Sequence, residues 1–182
     1  KGLWKIILIG VVVGLMAGAW FWRAVFLAGP QRSAPVIFST PVPQKVVASI
    51  LSFPRVDLRG IESFSVDLPD TRPALLPWVS TILEGVAHPP NSDVMPVFPA
   101  NTKPLSVFLD GEQNLYIDLP ASVRDFHMVG VELETLAVEA LLKSLGDNVP
   151  DARAVKILVD GNDVETLWGH LDIRRFFPIG SR

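Results

Sequence analysis

Six carboxylates lie in or near two Asp-Gly turns, and their type and spacing could support chemistry. They are Asp110, Asp118, Asp160, Asp163, Glu165 and Asp172. Two carboxylates that converge in a cleft can act as general acid and general base, and a larger group can bind calcium. The spacing does not match the calcium loop of an EF-hand, and aspartate is a frequent turn residue. The sequence therefore favours turns, with a ligand-binding or hydrolytic site at Asp110, Asp118 or Asp172 as an alternative.

The other residues that could do chemistry are sparse. None of the three histidines, His88, His127 and His170, has a partner at metal-ligand spacing, and the chain contains no cysteine. We expect His170, which follows Gly169, to make a hydrogen bond in a turn. The chain has no glycine-rich phosphate loop and no Gly-x-Ser-x-Gly nucleophile motif. The sequence predicts no catalytic residue, no cofactor and no metal site.

Alternating apolar residues place each Asp-Gly turn in a predicted β-hairpin. The first hairpin pairs residues 105–109 with 115–119, and the second pairs 155–159 with 164–168. Residues 131–145 lie between the hairpins and have apolar side chains at helical spacing. The predicted buried stripe of this helix consists of Leu133, Leu136, Ala137, Ala140, Leu141 and Leu145. The glutamates of its first turn favour the positive end of the helix dipole.

Two further elements precede the first hairpin, and together they predict the fold class. Residues 61–68 alternate as a strand, and residues 75–86 carry apolar side chains at helical spacing. The predicted order is β-α-β-β-α-β-β, which indicates an α/β (or α+β) two-layer sandwich with two helices on one face of a mixed sheet. This domain is expected over residues 57–177, with residues 178–182 as a tail.

An uncharged apolar run at residues 6–22 predicts one N-terminal transmembrane helix, covering residues 4–28. The run spans roughly 25 Å as a helix, and basic side chains can extend it to the interfaces. A cleaved signal peptide is the alternative, but the run is longer than a signal core of about 7–15 residues. The expected interface anchors are Trp4, Lys5, Trp20, Trp22 and Arg23. Gly10, Gly14 and Gly18 form a small-residue face where another helix could pack.

The charge distribution separates the two parts of the chain. Residues 29–56 are predicted to be a proline-rich linker, and up to residue 56 there are six basic and no acidic residues. From Asp57 onward there are 10 basic and 19 acidic residues, a net charge of −9. An acidic domain is a poor nucleic-acid binder. Lys1 and Lys5 favour a cytoplasmic N-terminus, which would place the domain on the extracytoplasmic side of a bacterial inner membrane.

Several motifs together resemble the GerMN domain, also called the sporulation and spore germination domain. The closing signature V-x-I-L-V-D-G…E-T-L-x-G-H-x-D matches residues 155–172 almost throughout. A Pro-x-Gly-Thr-x-Leu approach is represented by residues 99–105, where Asn101 replaces the usual glycine. The turn residues of the resemblance are Asp110, Gly111, Asp118, Asp160, Gly161, Gly169 and His170. The resemblance implies an anchored extracytoplasmic domain without known catalysis that acts through protein–protein contacts.

Three functional hypotheses follow from the anchor, the acidic domain and the resemblance. The first is a non-enzymatic structural or accessory subunit of a larger membrane complex, with other membrane-protein subunits and the lipid bilayer as partners. The second is self-assembly into a homo-oligomeric, ring-like scaffold in the envelope. The third is the ligand-binding or hydrolytic domain that the carboxylates would require.

Overall fold

The computed structural model describes residues 16, 20–23, 45–126 and 130–180. The chain divides into two compact units, Lys1–Val42 and Pro43–Arg182. In the first unit, residues 16 and 20–23 are helical, and these include Trp20, Trp22 and Arg23. No helix among the described residues is long and apolar enough to span a membrane. The other residues predicted for membrane contact or helix packing lie outside the described ones: Trp4, Lys5, Gly10, Gly14 and Gly18.

The described part of the second unit contains strands and helices in the order β-β-α-β-β-α-β-β. The strands are β1 (Val46–Pro54), β2 (Ile61–Pro69), β3 (Ser106–Leu109), β4 (Asn114–Leu119), β5 (Ala154–Val159) and β6 (Phe177–Pro178). The helices are α1 (Leu75–Val86) and α2 (Val131–Asn148), and a short 3-10 turn spans Ala121–Asp125. The predicted order thus lacked the first strand and misplaced the last.

The strands form two sheets instead of the single predicted one. Strands β1 and β2 pair antiparallel, and the second sheet has the order β3-β4-β5-β6. The predicted first hairpin is confirmed, because β3 and β4 pair antiparallel across Asp110-Gly111. Strands β4 and β5 pair in parallel and are connected through α2, which makes the second sheet mixed. A mixed α/β fold is therefore confirmed, although its strands are divided between two sheets.

Strand β1 corrects the predicted linker, which extended to residue 56. Leu51 and Phe53 of β1 are almost completely buried and belong to the same core as both helices. Two polar residues, Ser49 and Ser52, interrupt the apolar pattern of this strand, although both are buried. Burial of such side chains is tolerated only when their polar groups find partners.

Side chains of α2 close the edge of β1 that faces away from β2. The Ser52 N–H donates to the Ser144 hydroxyl at 2.8 Å, and both residues are fully buried. The Asn148 amide donates to the Ile50 carbonyl at 2.6 Å and accepts from the Ile50 N–H at 3.4 Å. The helix thus supplies hydrogen bonds that a third strand would otherwise provide, which ties β1 to the rest of the domain.

The core lies between the sheets and the two helices. Five of the six residues predicted for the buried stripe of α2 are buried, and Leu133 is partly buried. Helix α1 approaches the β1–β2 sheet closely at Gly85, where an added Cβ would lie 2.5 Å from the Cδ1 atom of Leu51. Glycine at this position therefore lets helix and sheet come into contact.

The predicted second hairpin is wrong. Residues 164–168 form no strand, and only Val159 and Asn162 make an isolated bridge across the Asp160-Gly161 turn. Strand β5 is instead flanked by β6, with Val155 opposite Phe177. The predicted tail is also corrected, because Pro178 belongs to β6 and Ile179 is buried.

Asp70 connects the residue before β1 to the turn that precedes α1. Its carboxylate accepts two hydrogen bonds from the Arg72 guanidinium at 2.8 Å and lies 3.1 Å from the Lys45 ammonium. The Asp70 side chain is only 7% exposed. The hydrogen bonds from Arg72, assisted by Lys45, hold the pKa of Asp70 well below its ordinary value despite the opposing effect of burial.

We predict that the Asp70→Asn substitution reduces the acid dependence of stability. A depressed pKa in the folded chain stabilises it at pH values above the ordinary value of about 4, and this stabilisation disappears as the pH falls through the folded value. Urea unfolding from pH 6 to pH 2 should show the wild type more stable than the variant near pH 6, with the difference closing below about pH 4. A constant difference across this range would contradict the account.

We predict that Ser144→Ala lowers the free energy of unfolding by about 1–3 kcal/mol, because the buried Ser52 N–H loses its acceptor. Ser80→Ala is the matched control: each hydroxyl donates at 2.8 Å to the carbonyl four residues earlier, but Ser80 accepts nothing from another element. The control should change stability by less than about 0.5 kcal/mol. Urea unfolding followed by tryptophan fluorescence measures both, and equal losses would contradict the role of Ser144.

Candidate functional site

The carboxylate of Glu134 organises the segment that follows β5. Glu134 lies in the first turn of α2 and is fully buried. Its Oε1 atom accepts the Trp168 N–H at 3.1 Å, and its Oε2 atom accepts the His170 N–H at 2.8 Å. The Nδ1 atom of His170 lies 3.1 Å from the same Oε2 atom. Residues 164–168 were predicted to pair with β5 as a strand. In the structure, the N–H groups of Trp168 and His170 bond instead to this one buried side chain.

The position of Gly169 explains the Gly-His pair of this segment. Gly169 has φ of 106°, a backbone conformation that side-chain-bearing residues rarely adopt. This conformation lets the flanking N–H groups of Trp168 and His170 reach the same carboxylate. His170 therefore lies in a hydrogen-bonded turn, the role expected from the sequence. Glu134 was expected only to favour the helix dipole, and its pairing across 36 residues carried no local sequence signal.

Lys156 is a second buried charge that sequence analysis missed. It occupies the middle of β5 and is 6% exposed. Its ammonium donates to Asp163 Oδ1 at 2.7 Å and to the Arg174 carbonyl. The same ammonium lies 5.8 Å from the centre of the Phe176 ring, within the range of a cation–π contact. Lys156 therefore binds both ends of the loop 163–176 to β5.

Asp118 and Asp160 connect β4 to the turn after β5. Asp118 is buried, and its Oδ1 atom accepts the Gly161 N–H at 2.8 Å. Asp160 Oδ1 accepts the Ala121 N–H at 3.1 Å. Asp160 and Gly161 have φ of 49° and 74°, so the turn adopts the left-handed conformation that this residue pair tolerates. Both carboxylates are thus occupied by backbone donors of the neighbouring strand connection.

Asp110 caps the turn between β3 and β4. It accepts hydrogen bonds from the Asn114 N–H at 2.8 Å, the Asn114 side chain at 2.9 Å and the Glu112 N–H at 2.9 Å. These bonds, the Asn114 side chain first, lower the pKa of Asp110. Burial, with the Asp110 charge in addition, raises the pKa of Tyr116. Asp110 therefore stays ionised as an acceptor, and Gly111 beside it completes the turn.

The six carboxylates do not converge on a shared cleft. Asp110 binds Asn114 at the start of β4, and Asp118 lies about 13 Å further along that strand at about 3.3 Å per residue. Asp172 is exposed and forms hydrogen bonds with Arg174 at 2.7 and 3.0 Å, which lower the pKa of Asp172. No group of three or more histidine, aspartate or glutamate side chains within the described part of the chain could hold a metal ion. His127 lies outside the described residues.

An exposed aromatic cluster lies on the outer face of the second sheet, and we call it the aromatic surface. It consists of Phe108, Tyr116 and Phe176. The rings of Phe108 and Tyr116 stack with centroids 4.4 Å apart, and Phe176 meets Tyr116 edge-on at 5.7 Å. Phe108 and Phe176 are 48% and 44% exposed, respectively. Apolar groups are thus presented to solvent on a rigid sheet, while the nearby charges are engaged internally.

Comparison with known proteins identifies the family. The family model described as Germane, sporulation and spore germination, matches residues 62–165, which is more than half of the chain. The chain belongs to this family. No curated protein matches the Germane chain significantly in sequence.

Two solved structures share the fold. The tandem GerMN domains of the sporulation protein GerM from Bacillus subtilis align with a TM-score of 0.56 and 15% identity, covering 75% of this chain and 45% of that one. The present chain thus spans less than half of the tandem protein. The first GerMN domain of the same protein aligns with a TM-score of 0.50 and 16% identity, covering 72% of this chain and 93% of that one. These likenesses establish a GerMN-type fold.

The Germane fold also explains the departure at Asn101. This residue has φ of 66°, in the left-handed region that glycine and asparagine tolerate best. Asparagine thus meets the backbone requirement at the position where the family motif has glycine. The Asn101 N–H donates to Glu84 Oε2 at 3.1 Å, which attaches the loop to the end of α1.

We predict that Glu134→Gln lowers the free energy of unfolding by about 2–4 kcal/mol, because the amide NH2 group cannot accept from the backbone N–H that it would face. Glu132→Gln is the matched control, since Glu132 lies in the same turn of α2 but is exposed. The control should cost less than about 1 kcal/mol. Urea unfolding measures both variants, and a control as destabilising as Glu134→Gln would contradict the role assigned to Glu134.

Proposed function

We propose that this protein is a non-enzymatic accessory subunit whose GerMN domain binds other proteins of a larger membrane complex. The apolar segment at residues 6–22 would anchor the chain, and the domain would lie on the extracytoplasmic side of the membrane. Three observations support this proposal: the family, the uncharged N-terminal segment and the aromatic surface. The aromatic surface gives the strongest support, because its exposed aromatic side chains have the composition of a protein-binding surface.

Charged side chains near the aromatic surface are engaged in holding the fold. Lys156 is held by Asp163, Asp110 caps its own turn, and Asp118 accepts a backbone N–H. An acid–base pair would need carboxylates that converge at a substrate, and Asp110, Asp118 and Asp172 do not converge. The hydrolytic hypothesis therefore has less support than a role in binding.

The composition of the aromatic surface suits a protein partner. Interface residues that dominate binding energy are enriched in aromatic side chains and arginine, and they cluster on rigid supports. Phe108 and Tyr116 are opposite each other on paired strands, so their positions are set by the backbone register. Arg174 and Arg175 directly precede Phe176 in the chain. Burial of the two exposed rings by a partner would remove apolar area from water without reorganising the domain.

We predict that the double substitution Phe108→Ser with Phe176→Ser reduces recovery of partner proteins about tenfold or more. The full chain would be purified from native membranes in mild detergent, and the chains that co-purify would be identified by mass spectrometry. Val131→Ser is the control, since Val131 is 60% exposed and lies at the start of α2. The control should keep the partners of the wild type.

Recovery of wild-type protein without any other membrane subunit would contradict the proposal. Recovery of the protein only with copies of itself would instead support a self-assembling scaffold. If the double variant recovers as much of the complex as the wild type, the binding site does not lie on the aromatic surface.

A further inference from the structure

Strand β2 has an open edge along its whole length. Two hydrogen bonds at the ends of the β1–β2 sheet show which residues of β2 bond to β1. The Arg55 N–H donates to the Gly60 carbonyl, and the Asp70 N–H donates to the Lys45 carbonyl. Even-numbered residues of β2 therefore bond to β1, and the odd-numbered residues direct their N–H and C=O groups away from it. These groups, at residues 61, 63, 65 and 67, have no hydrogen-bond partner in the part of the chain that the structure describes.

The opposite edge of the same sheet is closed over the second half of β1. The outward backbone groups of Ile50 and Ser52 bond to Asn148 and Ser144, and the Pro54 carbonyl accepts the Met95 N–H at 2.8 Å. Proteins usually cover, shorten or interrupt an edge strand, because an uncovered one readily pairs with another chain. Strand β2 has nine residues, whereas the edge strand β3 has four. The β2 edge is therefore the better template for strand pairing.

A groove beside β2 leaves room for an added strand. It has a volume of about 600 Å³ and lies between the C-terminal half of β2 and helix α1. Val66, Leu68 and Gly85 are among its apolar lining residues. With Ser63 on the two-fold axis, residues 66–69 of β2 would face residues 57–60 of the second copy, so the turn before its β2 would lie beside this groove.

The charges that flank β2 are complementary to those of a second copy. Arg59 precedes the strand and Asp67 lies near its end, and both residues are exposed. Neither side chain forms a hydrogen bond or ion pair with any residue that the structure describes. An antiparallel copy with Ser63 on the two-fold axis brings each Arg59 beside Asp67 of the other copy. The same register ends before Pro69, which has no N–H to donate.

We propose that two copies of this protein associate through antiparallel pairing of their β2 strands, with Ser63 opposite Ser63 of the second copy. The pairing joins the two-stranded sheets into a continuous four-stranded sheet. Its two symmetric Arg59–Asp67 pairs select this register over neighbouring ones and offset the repulsion between two acidic domains. This contact uses a different surface from the one proposed above for partner proteins.

Disulfide cross-linking of the full chain tests the register directly. The chain has no cysteine, so a Ser63→Cys variant reports only this contact. Opposed residues of an antiparallel hydrogen-bonded pair have Cα atoms about 5.5 Å apart, within the range of a disulfide. Oxidised Ser63→Cys protein should give a dimer on a non-reducing gel. Ser106→Cys, an exposed serine on the other edge strand β3, should remain monomeric.

A mixture of two single variants confirms the register independently of Ser63. The proposed pairing places residue 61 opposite residue 65 of the second copy. Ile61→Cys chains mixed with Ser65→Cys chains should therefore cross-link to each other, whereas each variant alone should give little dimer. Cross-linking of Ser106→Cys in preference to Ser63→Cys would overturn the proposal.

Exchanging the charges of Arg59 and Asp67 tests whether the cross-link reports the specific contact or random collision of two chains. In the Ser63→Cys background, Asp67→Arg should lower the dimer yield about tenfold, since two attractive pairs become repulsive. Adding Arg59→Asp should restore the yield to within about twofold. Absence of dimer, or an Asp67→Arg variant that cross-links as well as its parent, would overturn the proposal. Recovery of partner proteins should be unaffected by Asp67→Arg, so failure here is distinct from failure of the proposed function.

Discussion

The buried carboxylate of Glu134 is the contact on which the second half of the domain depends. A carboxyl group in an apolar interior is costly unless hydrogen-bond partners surround it, and here two backbone N–H groups and the Nδ1 atom of His170 do so. The loop 163–176 makes few backbone hydrogen bonds to neighbouring strands. Its path is therefore fixed by what it donates to α2, and Trp168 is carried into contact with Phe98 and Phe126 of the core.

The other interior charges follow the same logic. Lys156 holds Asp163 and the Arg174 carbonyl, and Asp118 holds the turn at Gly161. Each of these groups joins segments that are distant in sequence or on different elements, so each contributes to specifying one arrangement of the loops. Among the described residues, these acidic side chains are engaged one by one with internal partners and do not converge. The exposed features of this Germane domain are instead an aromatic surface and an uncovered strand edge, both suited to contacts with other chains.

Sequence patterns predicted the elements in which one periodicity dominates. The β3–β4 hairpin, α1 and α2 have clear alternation or helical spacing, and the structure contains all three. Strand β1 was missed because Ser49 and Ser52 interrupt its apolar pattern and prolines surround it. The Ser49 hydroxyl donates to the Val47 carbonyl and the Ser52 hydroxyl bonds to that of Ser63. The outward N–H groups of Ile50 and Ser52 bond to Asn148 and Ser144, which lie almost a hundred residues away. No local pattern could indicate those distant partners.

The second hairpin shows the opposite error. Residues 164–168 alternate like a strand, but the alternation reflects contacts of Val164 and Trp168 with the core rather than pairing with β5. Pairing was replaced by hydrogen bonds to Glu134, whose sequence position at the start of a helix predicted only a dipole interaction. The turn residues were recognised individually, and their partners became evident only from the tertiary structure.

Native-state hydrogen exchange of the Trp168 and His170 amides tests most directly whether Glu134 holds the loop. If it does, both amides should exchange only through global unfolding, at the rate of the amides in the centre of β5. Exchange of these two amides at the rate of unprotected groups, while β5 remains protected, would show that the loop opens without unfolding and would contradict the central place given to Glu134.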